Sequence, residues 1–364
     1  MPTYTRHHVG QLIVAGFSGT TIPVELRELA REFDLGGIIL FDRNIESPEQ
    51  VAELAYETKS LNKELPLWVS IDQEGGRVSR LKKPFTVWPS MRTLGERGDI
   101  LLAKKFGLAL ARELNSVGIN LDYAPVLDVH TRTDNPVIGD RAFSEKASEV
   151  ARLGVAIIEA LQQDNIAACG KHFPGHGNTS KDSHYELPIV ECHLNRLHEI
   201  EFNPFCAAIA SKVAMIMTAH VLYPTLDDKM PATLSKKIIT DLLKKELNFD
   251  GLVVTDDMEM GAISNFCTLN DAATQALTAG CDMMLLCGED TELKFGVLEG
   301  LIKAVEEGKL TQQRVEDALV RQRQVKERFL LQTQEWKPPS SKELRALLSC
   351  DSHVLIAKEI EGDL

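Results

Sequence analysis

Residues 170–186 carry three histidines (His172, His176 and His184), two lysines (Lys171 and Lys181), Asp182 and Glu186, interleaved with Gly170, Gly175, Gly177 and Pro174. Titratable groups at this density suit proton transfer and charge-assisted binding, and the glycines and proline keep the stretch out of a regular helix. Similar chemistry ends other short apolar runs: Asp42-Arg43-Asn44, Asp72-Gln73-Glu74 with Arg80 beyond, Asp122 and Asp128 with Arg141 further on, His220, and Asp256-Asp257. Carboxylates, cationic donors and histidines without metal-ligand spacing fit acid/base chemistry on a polyhydroxylated substrate. A carboxylate such as Asp256 can attack or stabilise an oxocarbenium-like carbon, and a second titratable group must then protonate the leaving oxygen. The loop offers His176, His184 and Glu186 for that second task. His184 is the best placed, because Asp182 two residues earlier can accept a hydrogen bond from the imidazole and hold its orientation. Taken alone, an Asp-x-His pair is a weak signal, equally suited to two solvated loop residues.

The elements that would gather these groups are eight short, mostly apolar runs: residues 11–17, 37–41, 67–71, 119–123, 166–170, 213–218, 252–255 and 281–286. They are continuous rather than alternating in hydropathy, which marks parallel strands buried on both faces. Helical periodicity fills most intervals, as over residues 100–117 and 147–163. Eight such units predict an α/β fold of the (β/α)8 TIM-barrel type, whose carboxyl rim would collect every strand-ending residue named above. A doubly wound open sheet is the alternative, but its Gly-x-Gly-x-x-Gly fingerprint is missing after the first run. Thr311 is placed to cap a last amphipathic helix, and Pro338-Pro339 breaks the chain after it. The expected organisation is a single barrel domain over residues 1–335 and a C-terminal helical tail over 336–364.

Composition narrows the partners. A net charge of −13 opposes general attraction to nucleic acid or anionic lipid. Seven cysteines without a Cys-x-x-Cys pair fit neither a disulfide framework nor a structural zinc site. No run approaches 18 consecutive apolar residues, and residues 1–8 lack the pattern of a signal peptide, so a cytoplasmic protein, expected as a monomer, is the simplest reading.

Several motifs in order resemble glycoside hydrolase family 3, in particular its bacterial single-domain β-N-acetylhexosaminidases. They are Ser70-Ile71-Asp72-Gln73-Glu74-Gly75-Gly76-Arg77-Val78, Ala124-Pro125-Val126-Leu127-Asp128-Val129, Ile138-Gly139-Asp140-Arg141-Ala142-Phe143, Lys171-His172-Phe173-Pro174-Gly175-His176-Gly177 followed by Asp182-Ser183-His184, and Thr255-Asp256-Asp257-Met258. The resemblance implies that Asp256 is the nucleophile and that His184, oriented by Asp182, is the acid/base. It also implies that Asp72, Arg80, Arg141, Lys171 and His172 bind a terminal N-acetylglucosamine, with no cofactor or metal. The natural substrate it suggests is an anhydro-muropeptide of cell-wall recycling. Glu259 stands where relatives often carry Ser, without an evident role. Residues 353–360 resemble the linker into the family's second domain, so every catalytic residue is expected from the barrel and its loops.

Rival readings are a β-glucosidase or β-xylosidase, an N-acetylglucosaminide phosphorylase, a metal-dependent barrel hydrolase using His172, His176, His184 and His220, and a sugar-binding protein without turnover. The glycine-rich residues 175–177 are expected to let the His184 loop move.

Overall fold

The computed structural model describes residues 6–62, 65–331, 335–348 and 350–363. The signal-peptide reading falls partly on residues 1–5, and the tail includes 349 and 364; these lie outside the described residues. Eight strands form a closed parallel barrel: β1 Ile13–Ala15, β2 Gly37–Leu40, β3 Trp68–Ile71, β4 Leu121–Asp122, β5 Ala167–Phe173, β6 Met215–Thr218, β7 Leu252–Asp257 and β8 Met283–Leu286. Each pairs with its sequence neighbours, and β1 pairs with β8 to close the ring. The expected (β/α)8 barrel is the observed fold.

Side chains of a strand alternate between faces, and this period of two builds the interior. Trp68, Leu121, Ala167, Met215, Leu252 and Met283 join Val14, Ile39, Tyr123, Cys169, Met217, Val254 and Leu285 in one buried cluster. Two residues further along come Lys171 after Cys169 and Asp256 after Val254, and Cys287 follows Leu285 just past the end of β8. The alternation that fills the barrel therefore delivers Lys171 and Asp256 to its carboxyl mouth.

The amino end is closed by the last barrel helix, Gln312–Leu330, which Thr311 caps by accepting from the Arg314 N–H at 3.2 Å. Phe329 and Leu330 of this helix belong to the interior cluster. The ammonium of Lys326 is buried beneath it, donating to Gln11 Oε1 and to the Gly36 carbonyl, both at 2.8 Å. Burial pushes this lysine down to about 7, although Asp34 opposes the shift.

Helices Ile100–Ser116 and Ala147–Gln163 match the periodic stretches. Beyond the break at Pro338-Pro339, helices Ser341–Leu347 and Asp351–Glu361 lie against the outside of the barrel. His353 donates from Nδ1 to the buried Glu113 of the first of those barrel helices at 3.0 Å, and Trp336 donates to the Asn115 carbonyl at 3.1 Å. Among the described residues no helix is long and apolar enough to cross a membrane.

Candidate active site

A cavity of about 460 Å³ opens at the carboxyl rim. Asp72, Arg80, Arg141, Lys171, His172, Asp182, His184 and Asp256 all line it, whereas Asp42, Asn44, Asp122, Asp128, Glu186 and His220, also named from the sequence, do not. Phe41, Arg43, Arg77 and Cys287 line it as well.

Its polar wall is a buried charge cluster. Strand β5 runs through Lys171 and His172 rather than stopping before them, and the Lys171–His172 and Phe173–Pro174 peptides are both cis. Lys171 Nζ lies 2.7 Å from Asp72 Oδ1 and 2.6 Å from Glu74 Oε1. Glu74 also accepts a bidentate pair from Arg141, Nε to Oε2 at 2.9 Å and Nη2 to Oε1 at 2.8 Å. Burial alone would raise the Glu74 carboxyl; the charges of Arg141 and Lys171 outweigh it and hold the group well below the usual carboxylate range. Lys171 is likewise raised: burial opposes its charge, but Asp72 and Glu74 prevail. The sequence placed Glu74 among the strand-ending residues without giving it a part. It sits in the wall because a small antiparallel hairpin, Gln73–Gly75 against Val78–Ser79, folds back over the rim. Gln73 Oε1 accepts the N–H groups of Arg80 and Leu81 at 2.8 and 3.0 Å, which sets Arg80 at 3.8 Å from Asp72. Lys171 and Arg141 are thus paired to carboxylates as well as facing the cavity, which leaves Asp72 Oδ2 and the remaining cationic N–H groups for a ligand.

His172 is fixed by Asp128, whose Oδ2 accepts from Nδ1 at 2.7 Å, while Oδ1 accepts the His176 N–H at 2.6 Å. His172 Nε2 faces the Arg141 guanidinium at 3.4 Å. Asp128 is a second residue whose positioning part the sequence did not reveal; only its place in the same motif as the strand-four segment hinted at it.

Asp256 ends β7 on the interior face. The Asp257 N–H donates to its Oδ1 at 2.8 Å. Burial would lift this carboxyl, yet the neighbouring His172 and His220, that N–H and Lys171 keep it below its ordinary value, so it stands ionised at the cavity floor. Asp257 behaves oppositely: burial, with the charges of Glu259 and Asp256, pushes it up to about 6 even though it accepts the N–H groups of Cys287 and Glu259. Glu259 has a structural task, accepting the Gly288 N–H at 2.7 Å and so tying the ends of β7 and β8.

The loop after β5 divides into two parts. Its first part, through Thr179, is mostly buried. His176 lies between Thr179 Oγ1 at 2.8 Å and Ser183 Oγ at 2.9 Å, and burial, then the His172 charge, lowers it to about 4. Gly177 has no spare room, since a Cβ there would stand 1.8 Å from the Val129 carbonyl oxygen. Close packing therefore requires glycine at 177. The second part is the exposed tip. There Asp182 Oδ1 accepts from His184 Nδ1 at 2.7 Å and from its N–H at 2.9 Å. Burial would raise Asp182, but these two bonds and the imidazole charge lower it. The other ring nitrogen, Nε2, carries no hydrogen bond among the described residues. Glu186, the reserve acid, pairs with Lys181 at 2.5 Å and does not line the cavity.

The four histidines of the metal alternative have separate partners: Asp128 for His172, Thr179 and Ser183 for His176, Asp182 for His184, and Thr233 with the Asp257 carbonyl for His220. Among the described residues no group of three or more such side chains converges as metal ligands would.

A closed parallel barrel whose carboxyl rim gathers a lowered carboxylate, a carboxylate-held imidazole and a cationic wall defines a TIM-barrel protein. The chain belongs to glycosyl hydrolase family 3: residues 4–325 match the model of that family's N terminal domain. Beta-hexosaminidase A of Pseudoalteromonas piscicida is 37% identical over 328 residues, 83% of this chain; the chain spans 55% of that protein's length. The structure of a glycoside hydrolase family 3 beta-N-acetylglucosaminidase from Paenibacillus sp. str. FPU-7 superposes with TM-score 0.94 at 40% identity, covering 98% of this chain and 68% of that one. NagZ from Neisseria gonorrhoeae in complex with N-trifluoroacetyl-D-glucosamine gives TM-score 0.79 at 29% identity, covering 96% and 97%.

Proposed function

We propose that the protein is a retaining glycosidase that removes terminal β-linked N-acetylglucosamine, with Asp256 as nucleophile and His184, held by Asp182, as acid/base. The observation that carries this reading is that Asp256, from the end of β7, and the Asp182-bound imidazole, from the loop after β5, line one cavity. With Oδ1 of Asp256 occupied by the Asp257 N–H, Oδ2 attacks the anomeric carbon and the carbon–oxygen bond to the aglycone breaks. His184 Nε2–H protonates the departing oxygen as it leaves. Asp182, bonded to Nδ1, keeps the ring aligned through both proton transfers. The neutral Nε2 then takes a proton from water, whose oxygen displaces Asp256 and regenerates the start. Asp72, Arg80, Arg141, Lys171 and His172 would hold the sugar hydroxyls by charge-assisted bonds.

The relatives' names support the sugar, and the acetamido group separates this reading from a β-glucosidase or β-xylosidase. In its finer form the proposal makes the substrate an anhydro-muropeptide and the protein a cytoplasmic monomer, with 336–364 a tail appended to one catalytic domain. The test is hydrolysis of an aryl glycoside panel by wild type, Asp256→Asn and His184→Ala. Asp256→Asn is expected to lose about a thousandfold or more on the N-acetylglucosaminide. His184→Ala is expected to lose about 10²–10⁴-fold on substrates with poor leaving groups and far less on activated ones. Substantial turnover by Asp256→Asn, or equal losses across leaving groups for His184→Ala, would refute the assignments. A neutral imidazole repels an incoming anion less than a carboxylate would, so the same panel run in phosphate reads out phosphorolysis as sugar 1-phosphate.

A further inference from the structure

The exposed tip bearing His184 hangs from the barrel by its own carbonyls. The Ala262 N–H donates to the Ser183 carbonyl at 3.1 Å, the Gly261 N–H to the His184 carbonyl at 2.9 Å, and Asn265 Nδ2 to the Tyr185 carbonyl at 3.0 Å. Three successive carbonyls are thus captured by one segment. That segment begins directly after Met260, within the loop that follows Asp256. The stretch between is itself pinned, because Asp257 accepts from Cys287 N–H at 3.1 Å and Glu259 from Gly288 N–H at 2.7 Å. Little slack separates the residue at the cavity floor from the surface on which the tip rests.

We propose that Gly261–Asn265 is the dock that sets where the acid/base imidazole stands, with Gly261 and Asn265 as positioning residues for His184. This deepens the reading of Asp256 and His184 given above and rests on it. Gly261 is required there by contact rather than by backbone conformation. A Cβ on it would lie 2.5 Å from the Tyr185 carbonyl oxygen and 2.8 Å from that of His184, so even alanine must lift the tip. Both obstacles are backbone atoms, which cannot rotate out of the way. Proton donation demands hydrogen-bond reach to the leaving oxygen, and a misplacement of about 1 Å costs roughly a hundredfold. Sugar binding is assigned to Asp72, Arg80, Arg141, Lys171 and His172, none of them in the dock, so the loss in kcat/KM, which reports the first half of the reaction, belongs to leaving-group protonation.

The test compares Gly261→Ala and Asn265→Ala with wild type and His184→Ala. The substrates are a dinitrophenyl N-acetylglucosaminide, whose leaving group needs no proton, and an alkyl one, which does. Gly261→Ala is expected to lower kcat/KM on the alkyl glycoside about ten- to a hundredfold and on the dinitrophenyl glycoside less than about twofold. Asn265→Ala removes one bond from a solvated side chain, which spares folding, and should show the same selectivity at about two- to tenfold. Both variants should also speed tryptic cleavage after the exposed Lys181, a readout that requires no turnover. Losses blind to the leaving group, or unchanged cleavage at Lys181, would overturn the dock. If His184→Ala itself shows no selectivity, the acid assignment fails instead; the tryptic rates then decide the dock alone, faster cleavage supporting it and unchanged cleavage sinking it.

Discussion

His176 illustrates how far a residue's type can be separated from its task. In the sequence it is the most prominent of the loop's imidazoles, framed by Pro174, Gly175 and Gly177, yet the Asp182–His184 spacing assigns the acid/base part elsewhere. The structure buries His176 between two hydroxyls, where protonation is penalised and its value falls from 6.5 to about 4. A buried histidine that resists protonation leaves the unfolded chain binding more protons between those values. Stability is then fully present above about pH 6.5 and drains away as pH falls toward 4, by on the order of 2–3 kcal/mol. Denaturant titrations at several pH values should show this acid-side loss in wild type and a flatter profile in His176→Gln. The strand-end residues were legible because a barrel has one functional rim and period-two alternation picks which side chains reach it. The parts of Glu74 and Asp128 were not, because a carboxylate that pairs with a cation or imidazole inside the protein reads in sequence like one that binds a ligand.

At the scale of elements, apolar run length and helical periodicity located the barrel strands and the two long helices, since both patterns follow from local geometry. The hairpin over Gln73–Ser79 escaped notice because Gln-Glu-Gly-Gly-Arg carries no alternation of apolar and polar residues; only its fold over the rim creates the strands. The extent of β5 was also underread, charge at Lys171 and His172 masking a strand that continues. The first part of the loop after β5 is a packed wall. Adding one methyl group at Gly177 would overfill the contact with Val129, and Gly177→Ala is expected to cost about 1–3 kcal/mol in urea unfolding. A variant as stable as wild type would mean that this wall yields more easily than its packing shows.

Across the whole molecule, the two tail helices extend the polar core outward. Glu113 accepts from Thr86 Oγ1 at 2.6 Å and from His353 at 3.0 Å, linking the tail to the long segment between β3 and β4. Taking away His353 strips a buried carboxylate of a partner, a change typically worth about 1–3 kcal/mol. His353→Ala should therefore melt a few degrees lower by calorimetry, while its preference among leaving groups stays that of wild type. Sequence reading could place the tail outside the barrel from the proline break, but not this bond, which joins residues 240 positions apart. The closed amino end has a consequence for the order of events. With Phe329, Leu330 and Lys326 sealing the base and side chains filling the interior, the described residues leave the rim as the way in and out. In the proposed reaction the water of the second half has no back route to the covalent sugar. It must come in by the way the aglycone goes out, so departure of the first product sets the earliest moment at which the second half can begin.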